Sequence, residues 1–131
     1  MTSNNYFVFL ETERSTHHMS QYMQLEVRVT PYYKKDMASD HPNISRGLGY
    51  LNPAWLEKEP SFFDMVGKLD KLLYDLEGNP PFREILLKHK DTLRKLHKDV
   101  EAHIADWELA EADKALYQME DIFDKIEWEL A

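Results

Sequence analysis

The chain has 131 residues, of which 43% are apolar and 31% charged, and its formal net charge is −8. This length and apolar content suit one folded domain and exclude a disordered chain, while the absence of cysteine excludes a disulfide framework and thiolate metal sites. The acidic excess argues against direct nucleic-acid binding, because phosphate contacts need a basic surface.

The first 30 residues carry two strand patterns. Residues 6–10 form a short aromatic and apolar run, and residues 24–30 alternate with period two until Pro31 ends the pattern. We predict a β-hairpin over residues 1–30, with a polar loop that contains His17 and His18. The five-residue apolar run is too short for a signal peptide or a membrane span, which favours a cytoplasmic protein.

Residues 31–60 hold four of the six prolines and two of the four glycines and have no sustained period. They predict an irregular connection, in which Asn52 caps a one-turn helix at residues 52–56. A helix is predicted next over residues 61–77, with Ser61 as its N-cap and Gly78 at its end.

Residues 80–130 predict either one long helix or a helical hairpin. Asn79 and Pro80 are typical of a helix start, and no glycine or proline follows between residues 82 and 130. The apolar face shifts by about 120° between the two halves of this segment, when each residue turns the helix by about 100°. Continuity is favoured over a hairpin because residues 101–112 contain no typical turn residue.

The fold class predicted from these patterns is α+β. It consists of an N-terminal β-hairpin followed by two or three helices and is dominated by the long C-terminal helix or helical hairpin. All of residues 1–131 form a single domain, divided into a hairpin at 1–30, an irregular connection at 31–60 and a helical region at 61–131.

The last third of the chain combines an apolar seam with a concentration of carboxylates. Residues 101–131 contain ten acidic and two basic residues, and apolar residues recur at 3,4 spacing from Leu109 to Leu130. The seam residues predicted to be buried against a partner are Leu116, Met119, Phe123 and Ile126, and Phe123, at the centre of the seam, is predicted to be buried either in the domain core or in an interface. Beside them lies a row of carboxylates, which we call the acidic rail: Asp106, Asp113, Glu120, Asp124 and Glu127. Two interpretations of the rail are open: a solvated flank that keeps a small protein soluble, and a docking surface for a basic partner.

Catalytic and metal-binding patterns are weak. His97 and Glu101 share a helix face, but neither a His-Glu-x-x-His nor a Glu-x-x-His spacing occurs, and no serine lies in a nucleophile elbow. We therefore assign no catalytic residue, no metal ligand and no cofactor, and we expect a protein that is not an enzyme.

The expected function is that of a small acidic inhibitor or immunity-type regulator. Its acidic helix would dock on a basic surface of a partner protein, in one version by mimicking the phosphates of a nucleic acid. The partner would be a protein, with no direct contact to nucleic acid or membrane, and the C-terminal helix could also build a homo-oligomer. Two alternatives remain: an accessory subunit that uses the long helix and the hairpin edge for assembly, and an enzyme with a metal or a His/carboxylate site.

Overall fold

The computed structural model describes residues 6–9, 22, 23, 25–51 and 60–131. Two short strands, β1 (Tyr6–Phe9) and β2 (Glu26–Val29), pair antiparallel with Tyr6 opposite Val29. The predicted loop with His17 and His18 lies outside the described residues. The rest of the described chain is mostly helical, and none of its helices is long and apolar enough to cross a membrane.

The prediction of an irregular connection is wrong for residues 37–51, which form α1 (Met37–Asp40) and α2 (Pro42–Leu51). Pro42 occupies the first turn of α2, where a missing N–H costs nothing, and Ile44 and Leu48 place a buried stripe one turn apart. A Cβ at Gly47 would lie 2.6 Å from Cδ2 of Phe82. The glycine that obscured the helical pattern therefore permits close packing. The one-turn helix predicted at residues 52–56 lies outside the described residues.

The helix predicted over residues 61–77 is divided in two. It consists of α3 (Phe62–Gly67) and α4 (Leu69–Asp75), which are separated at Lys68 and followed by a 3₁₀ turn at Leu76–Gly78. The predicted cap is confirmed, since Ser61 Oγ accepts a hydrogen bond of 3.0 Å from the backbone N–H of Asp64.

The long C-terminal segment is a helical hairpin, so the favoured continuous helix is wrong. Helix α5 (Pro80–Ala105) is capped by Asn79 as predicted, and α6 (Leu109–Glu129) runs back along it, bringing Glu129 within 2.7 Å of Lys88. The hairpin resolves the shift of the apolar face, because folding back lets both apolar stripes face one core.

The turn between α5 and α6 is a Schellman motif without glycine. The N–H of Glu108 donates to the carbonyl of His103, the N–H of Trp107 donates to the carbonyl of Ile104, and Trp107 has φ of +62°. The Glu108 carboxylate also lies 2.8 Å from Nδ1 of His103. The chain thus reverses at a residue that sequence rules do not associate with the left-handed conformation.

The core lies between α5 and α6 and is completed by α2, α3 and α4. Helix α5 buries Leu86, Leu93, Leu96, Val100 and Ile104, as their helical spacing predicts. Trp107, which the same spacing assigns to this apolar stripe, lies beyond the end of α5 in the turn to α6. The main counterparts of the stripe are Ile44 and Leu48 from α2, Phe63, Met65 and Val66 from α3, Leu69, Leu72 and Leu73 from α4, and Met119, Phe123 and Ile126 from α6.

Candidate functional site

The apolar seam of α6 is covered by the chain itself. Met119, Phe123 and Ile126 are each at most 1% exposed, and Leu116 is half-buried against the same core. The ring of Phe123 stacks on Phe62, with centroids 4.2 Å apart. These four residues were predicted to contact a partner. In the structure three of them belong to the core of this chain, and Leu116 lies at the margin of that core. The helix needs a partner, and that partner is intramolecular.

Glu127, at the end of the predicted acidic rail, is turned inward as a helix cap. Its Oε2 accepts from the backbone N–H of Asn43 at 2.8 Å, and its Oε1 accepts from the N–H of Ile44 at 2.9 Å. These are the first two N–H groups of α2, because Pro42 has none. A carboxylate at this place satisfies both donors and complements the helix dipole. Glu127 is therefore a structural residue and no part of an exposed surface.

Two further residues of the rail have different surroundings from those predicted. Asp106 is the C-cap of α5 and lies in the turn, so it does not continue the row of α6. Asp124 is on α6, and its Oδ1 lies 3.2 Å from Nε2 of His41, although 68% of its side chain remains exposed. Of the five residues of the acidic rail, only Asp113, Glu120 and Asp124 are thus both exposed and on α6.

The exposed face of α6 carries a mixed acidic and aromatic surface, which we call the acidic strip. Every member lies within about 100° around the helix axis. The strip includes Tyr117 and Trp128, which are 63% and 80% exposed. Its members are Asp113, Tyr117, Glu120, Asp121, Asp124 and Trp128. Asp121, Tyr117 and Trp128 were not predicted as part of this surface, because the heptad register places them outside the rail. A helical wheel centred on Asp113 places all three on the same face as the rail residues.

The carboxylates of the acidic strip interact with one another. Partial burial raises the pKa of Glu120 above its ordinary value, and the negative charges of Asp124, Asp113 and Asp121 raise it further, while His41 opposes them. Neighbouring negative charges make the ionisation of each carboxyl group less favourable. The strip is therefore a region of concentrated negative potential.

A cleft of about 600 Å³ adjoins the acidic strip. Its walls are residues 29–34, the junction of α1 and α2, the start of α3, and Leu116, Met119, Glu120 and Asp124 of α6. His41 lies in this wall with Phe62 edge-on at 4.9 Å, and the hydroxyl of Tyr33 donates to the carbonyl of Pro60 at 2.6 Å. Three carboxylates, Asp40, Glu120 and Asp124, line the cleft against one lysine, Lys34.

Histidine and carboxylate groups occur as separate pairs and not as clusters. Among the residues that the structure describes, no group of three or more His, Asp or Glu side chains could hold a metal ion. His97 lies 3.5 Å from Glu101, and three other histidines each approach one carboxylate. Those three pairs are His41 with Asp124, His89 with Glu129, and His103 with Glu108.

Comparison with known proteins gives no relative from which a function could be transferred. No protein-family model, curated protein or solved structure matches this chain.

Proposed function

We propose that this chain is a non-enzymatic binding protein that docks the acidic strip of α6 on a basic surface of a partner protein and thereby inhibits or regulates that partner. The observation that carries the proposal is that three carboxylates of the acidic strip lack an ion pair within the described part of the chain. Asp113, Glu120 and Asp121 form no ion pair with the residues that the structure describes, whereas other carboxylates of α6, such as Glu111 and Glu129, are paired with lysines.

Electrostatics gives this strip two roles in binding. Negative potential steers a basic partner toward the surface and raises the association rate, and the partner's cations relieve the repulsion between the clustered carboxylates. Tyr117 and Trp128 lie on the same face and supply the apolar contact area that anchors protein interfaces. The combination fits a basic protein surface better than a neutral one.

The narrower version of this proposal is mimicry of nucleic acid. Asp113 and Glu120 are seven residues apart, which corresponds to about 10 Å along the helix. A row of carboxylates at this scale would occupy the cationic groove with which a partner binds phosphates. In this version, the partner is itself a nucleic-acid-binding protein, and the acidic strip competes with the nucleic acid for the partner's groove.

The test is comparative affinity capture from the native host. The wild type is compared with a triple variant, Asp113→Lys, Glu120→Lys and Asp121→Lys, and with a matched control, Glu77→Lys, Glu84→Lys and Asp91→Lys, which changes three exposed carboxylates on other elements. Exposed charges contribute little to stability, so all three proteins should fold. We expect the partner to be retained by wild type and control and lost by the strip variant.

Binding of the purified partner then decides between charge-driven docking and other modes. We expect the affinity to fall as salt rises from about 50 to 200 mM, mainly through a slower association rate. A partner that binds the strip variant as tightly as wild type at low salt would overturn the proposal. A nucleic acid that fails to compete would remove only the mimicry version.

The accessory-subunit hypothesis is supported by a different surface. Tyr22, Met23 and Leu25, which precede β2, are 87%, 73% and 53% exposed. An apolar segment beside a two-stranded sheet could extend that sheet into a larger assembly. Such an assembly would be nearly insensitive to salt and to the strip variant. A homo-oligomer built on the seam is less well supported, because the chain's own helices bury those residues.

A further inference from the structure

A second charged surface lies between the junction of α3 and α4 and the middle of α5. It is a groove of about 460 Å³, which we call the basic groove, lined by Lys68, Lys71, Arg94 and Lys98 against Asp70 and Glu101. The whole chain has 24 acidic and 16 basic residues, so this local excess of cations runs against the overall charge. Its volume lies in the range of small-molecule sites, about 300 to 1,000 Å³.

One of the two carboxylates at the groove, that of Asp70, is engaged by a cation. Asp70 pairs with Arg94, and Glu101 lies 3.5 Å from Nδ1 of His97. Lys71 is paired with Asp75, 3.0 Å away. Lys68 and Lys98, in contrast, form no ion pair with the described residues, although the charge of Lys68 reaches the buried Asp64. Two ammonium groups at the groove are thus available to an anion.

His97 forms a fixed wall of the groove. Its imidazole stacks on Phe63 with centroids 4.1 Å apart and planes within 12°. Gly67, at the end of α3, allows the backbone to approach the ring, since a Cβ there would lie 3.1 Å from Nε2. Burial lowers the pKa of His97, and Glu101 opposes this shift. Arg94 and Lys98 from α5, Lys68 from the α3–α4 junction, and Asp70 and Lys71 from α4 are the other charged groups that line the groove around His97.

We propose that the basic groove binds the phosphate group of a small phosphorylated molecule or free phosphate, held by Lys68, Lys98 and Arg94. A phosphate monoester carries about −1.5 to −2 charges at neutral pH and accepts several charge-assisted hydrogen bonds. The pair between Arg94 and Asp70 is solvent-exposed and therefore weak, so Arg94 can turn to the ligand. A polynucleotide would extend over the acidic surface of the chain and be repelled by it. A small anion fits within the groove, where the nearby cations dominate the electrostatic potential.

The test uses inorganic phosphate and phenyl phosphate as ligands, with phenol as the uncharged control, in calorimetric titrations of the full chain. The variant is Lys68→Gln with Lys98→Gln, and the matched control is Lys114→Gln with Lys125→Gln, which removes the same charge from α6. We expect both phosphates to saturate one site and phenol not to bind. The groove variant should lose about tenfold or more in affinity, and the control should stay within about twofold.

A second measurement follows the NMR signals of His97 during the same titration. A bound anion favours the imidazolium ion, so saturation should raise the pKa of His97, while the ring signals of His103, in the α5–α6 turn, should not respond to the ligand. Tighter binding of phenyl phosphate than of inorganic phosphate would identify a phosphate monoester as the ligand, and equal binding would identify free phosphate. Absence of saturable binding, equal weakening in both variants, or an unchanged His97 would each overturn the proposal.

Discussion

Phe62 and Phe123 are stacked face to face, with ring centroids 4.2 Å apart and ring planes within 6° of parallel. The pair joins the first residue of α3 to the centre of the α6 seam across 61 residues of sequence. The ring of His41 packs edge-on with Phe62, with ring centroids 4.9 Å apart. This stack therefore connects the wall of the cleft to the helix that carries the acidic strip.

Replacement of Phe123 by Ala is expected to destabilise the protein by about 3 to 5 kcal/mol, because it removes a buried ring and leaves a cavity. Urea unfolding of the variant and wild type measures the difference. Tyr117→Ala on the exposed face of the same helix is the control and should change stability by about 0.5 kcal/mol or less. Equal effects of the two substitutions would contradict the assignment of the seam to the core.

Replacement of Glu127 by Ala is expected to cost about 1 to 2 kcal/mol, since it leaves the N–H groups of Asn43 and Ile44 without their carboxylate. Glu127→Gln should recover part of the loss, because its amide oxygen can still accept one hydrogen bond. Thermal unfolding provides the comparison, with Glu120→Ala as the exposed control. A Glu127→Ala protein as stable as the control would show that α2 does not depend on this cap.

Trp107 allows the cost of the left-handed backbone conformation to be measured. Both Trp107→Gly and Trp107→Val remove the indole, but only glycine adopts φ near +62° without strain. We expect the Val variant to be less stable than the Gly variant by about 1 to 2 kcal/mol, and denaturant unfolding of the pair measures it. The reverse order would mean that the Schellman turn rearranges when the indole is lost.

Asp64 is expected to make stability depend on pH. Burial raises the pKa of this carboxyl in the folded protein, against hydrogen bonds from Ser61 and the charge of Lys68, which lower it. Between the pKa of Asp64 in the unfolded chain and its raised pKa in the folded protein, the folded chain holds a proton that the unfolded chain has released. The free energy of unfolding therefore decreases as pH rises through this interval. Below the ordinary pKa of an aspartate, both states are protonated and the penalty is absent.

The measurement compares the free energy of unfolding of wild type and Asp64→Asn between about pH 3.5 and 7. The free energy of unfolding of Asp64→Asn, relative to that of the wild type, should increase with pH and then level off. Asp91→Asn, at an exposed position of α5, is the matched control. A difference between wild type and Asp64→Asn that does not change with pH would contradict the raised pKa.

Local signals in the sequence were sufficient for some elements. Ser61 and Asn79 were recognised as caps because a capping residue lies next to the N–H groups that it satisfies. The buried stripe of α5 was recognised from its periodicity. The turn at Trp107 was not predicted because sequence rules for turns rely on residues such as glycine and asparagine. Here the packing of the two apolar helix faces against one core compensates for a residue that is unfavourable in the left-handed conformation.

The composition of the candidate site was harder to predict, because it depends on contacts between distant residues. Glu127 was assigned to the exposed rail on its heptad position, but α2 was hidden by its proline and glycines, so nothing in the sequence indicated a helix end for Glu127 to cap. Asp124 was predicted as one of a row of equivalent carboxylates, and its pairing with His41 spans 83 residues. Helical periodicity was sufficient to predict the exposed positions of Asp113 and Glu120 on α6.

The cap that Glu127 provides also sets an order of events during synthesis of the chain. Helix α2 is translated more than 70 residues before the side chain that satisfies its first N–H groups. While the ribosome produces α3 to α6, the first N–H groups of α2 lack the Glu127 carboxylate. Its buried residues Ile44 and Leu48 belong to a core that includes Met119, Phe123 and Ile126 of α6. Native contacts of such long sequence separation form late and slowly. Helix α2 therefore gains this cap only after residue 127 has been synthesised, and until then the incompletely folded chain exposes apolar surface to chaperones and proteases.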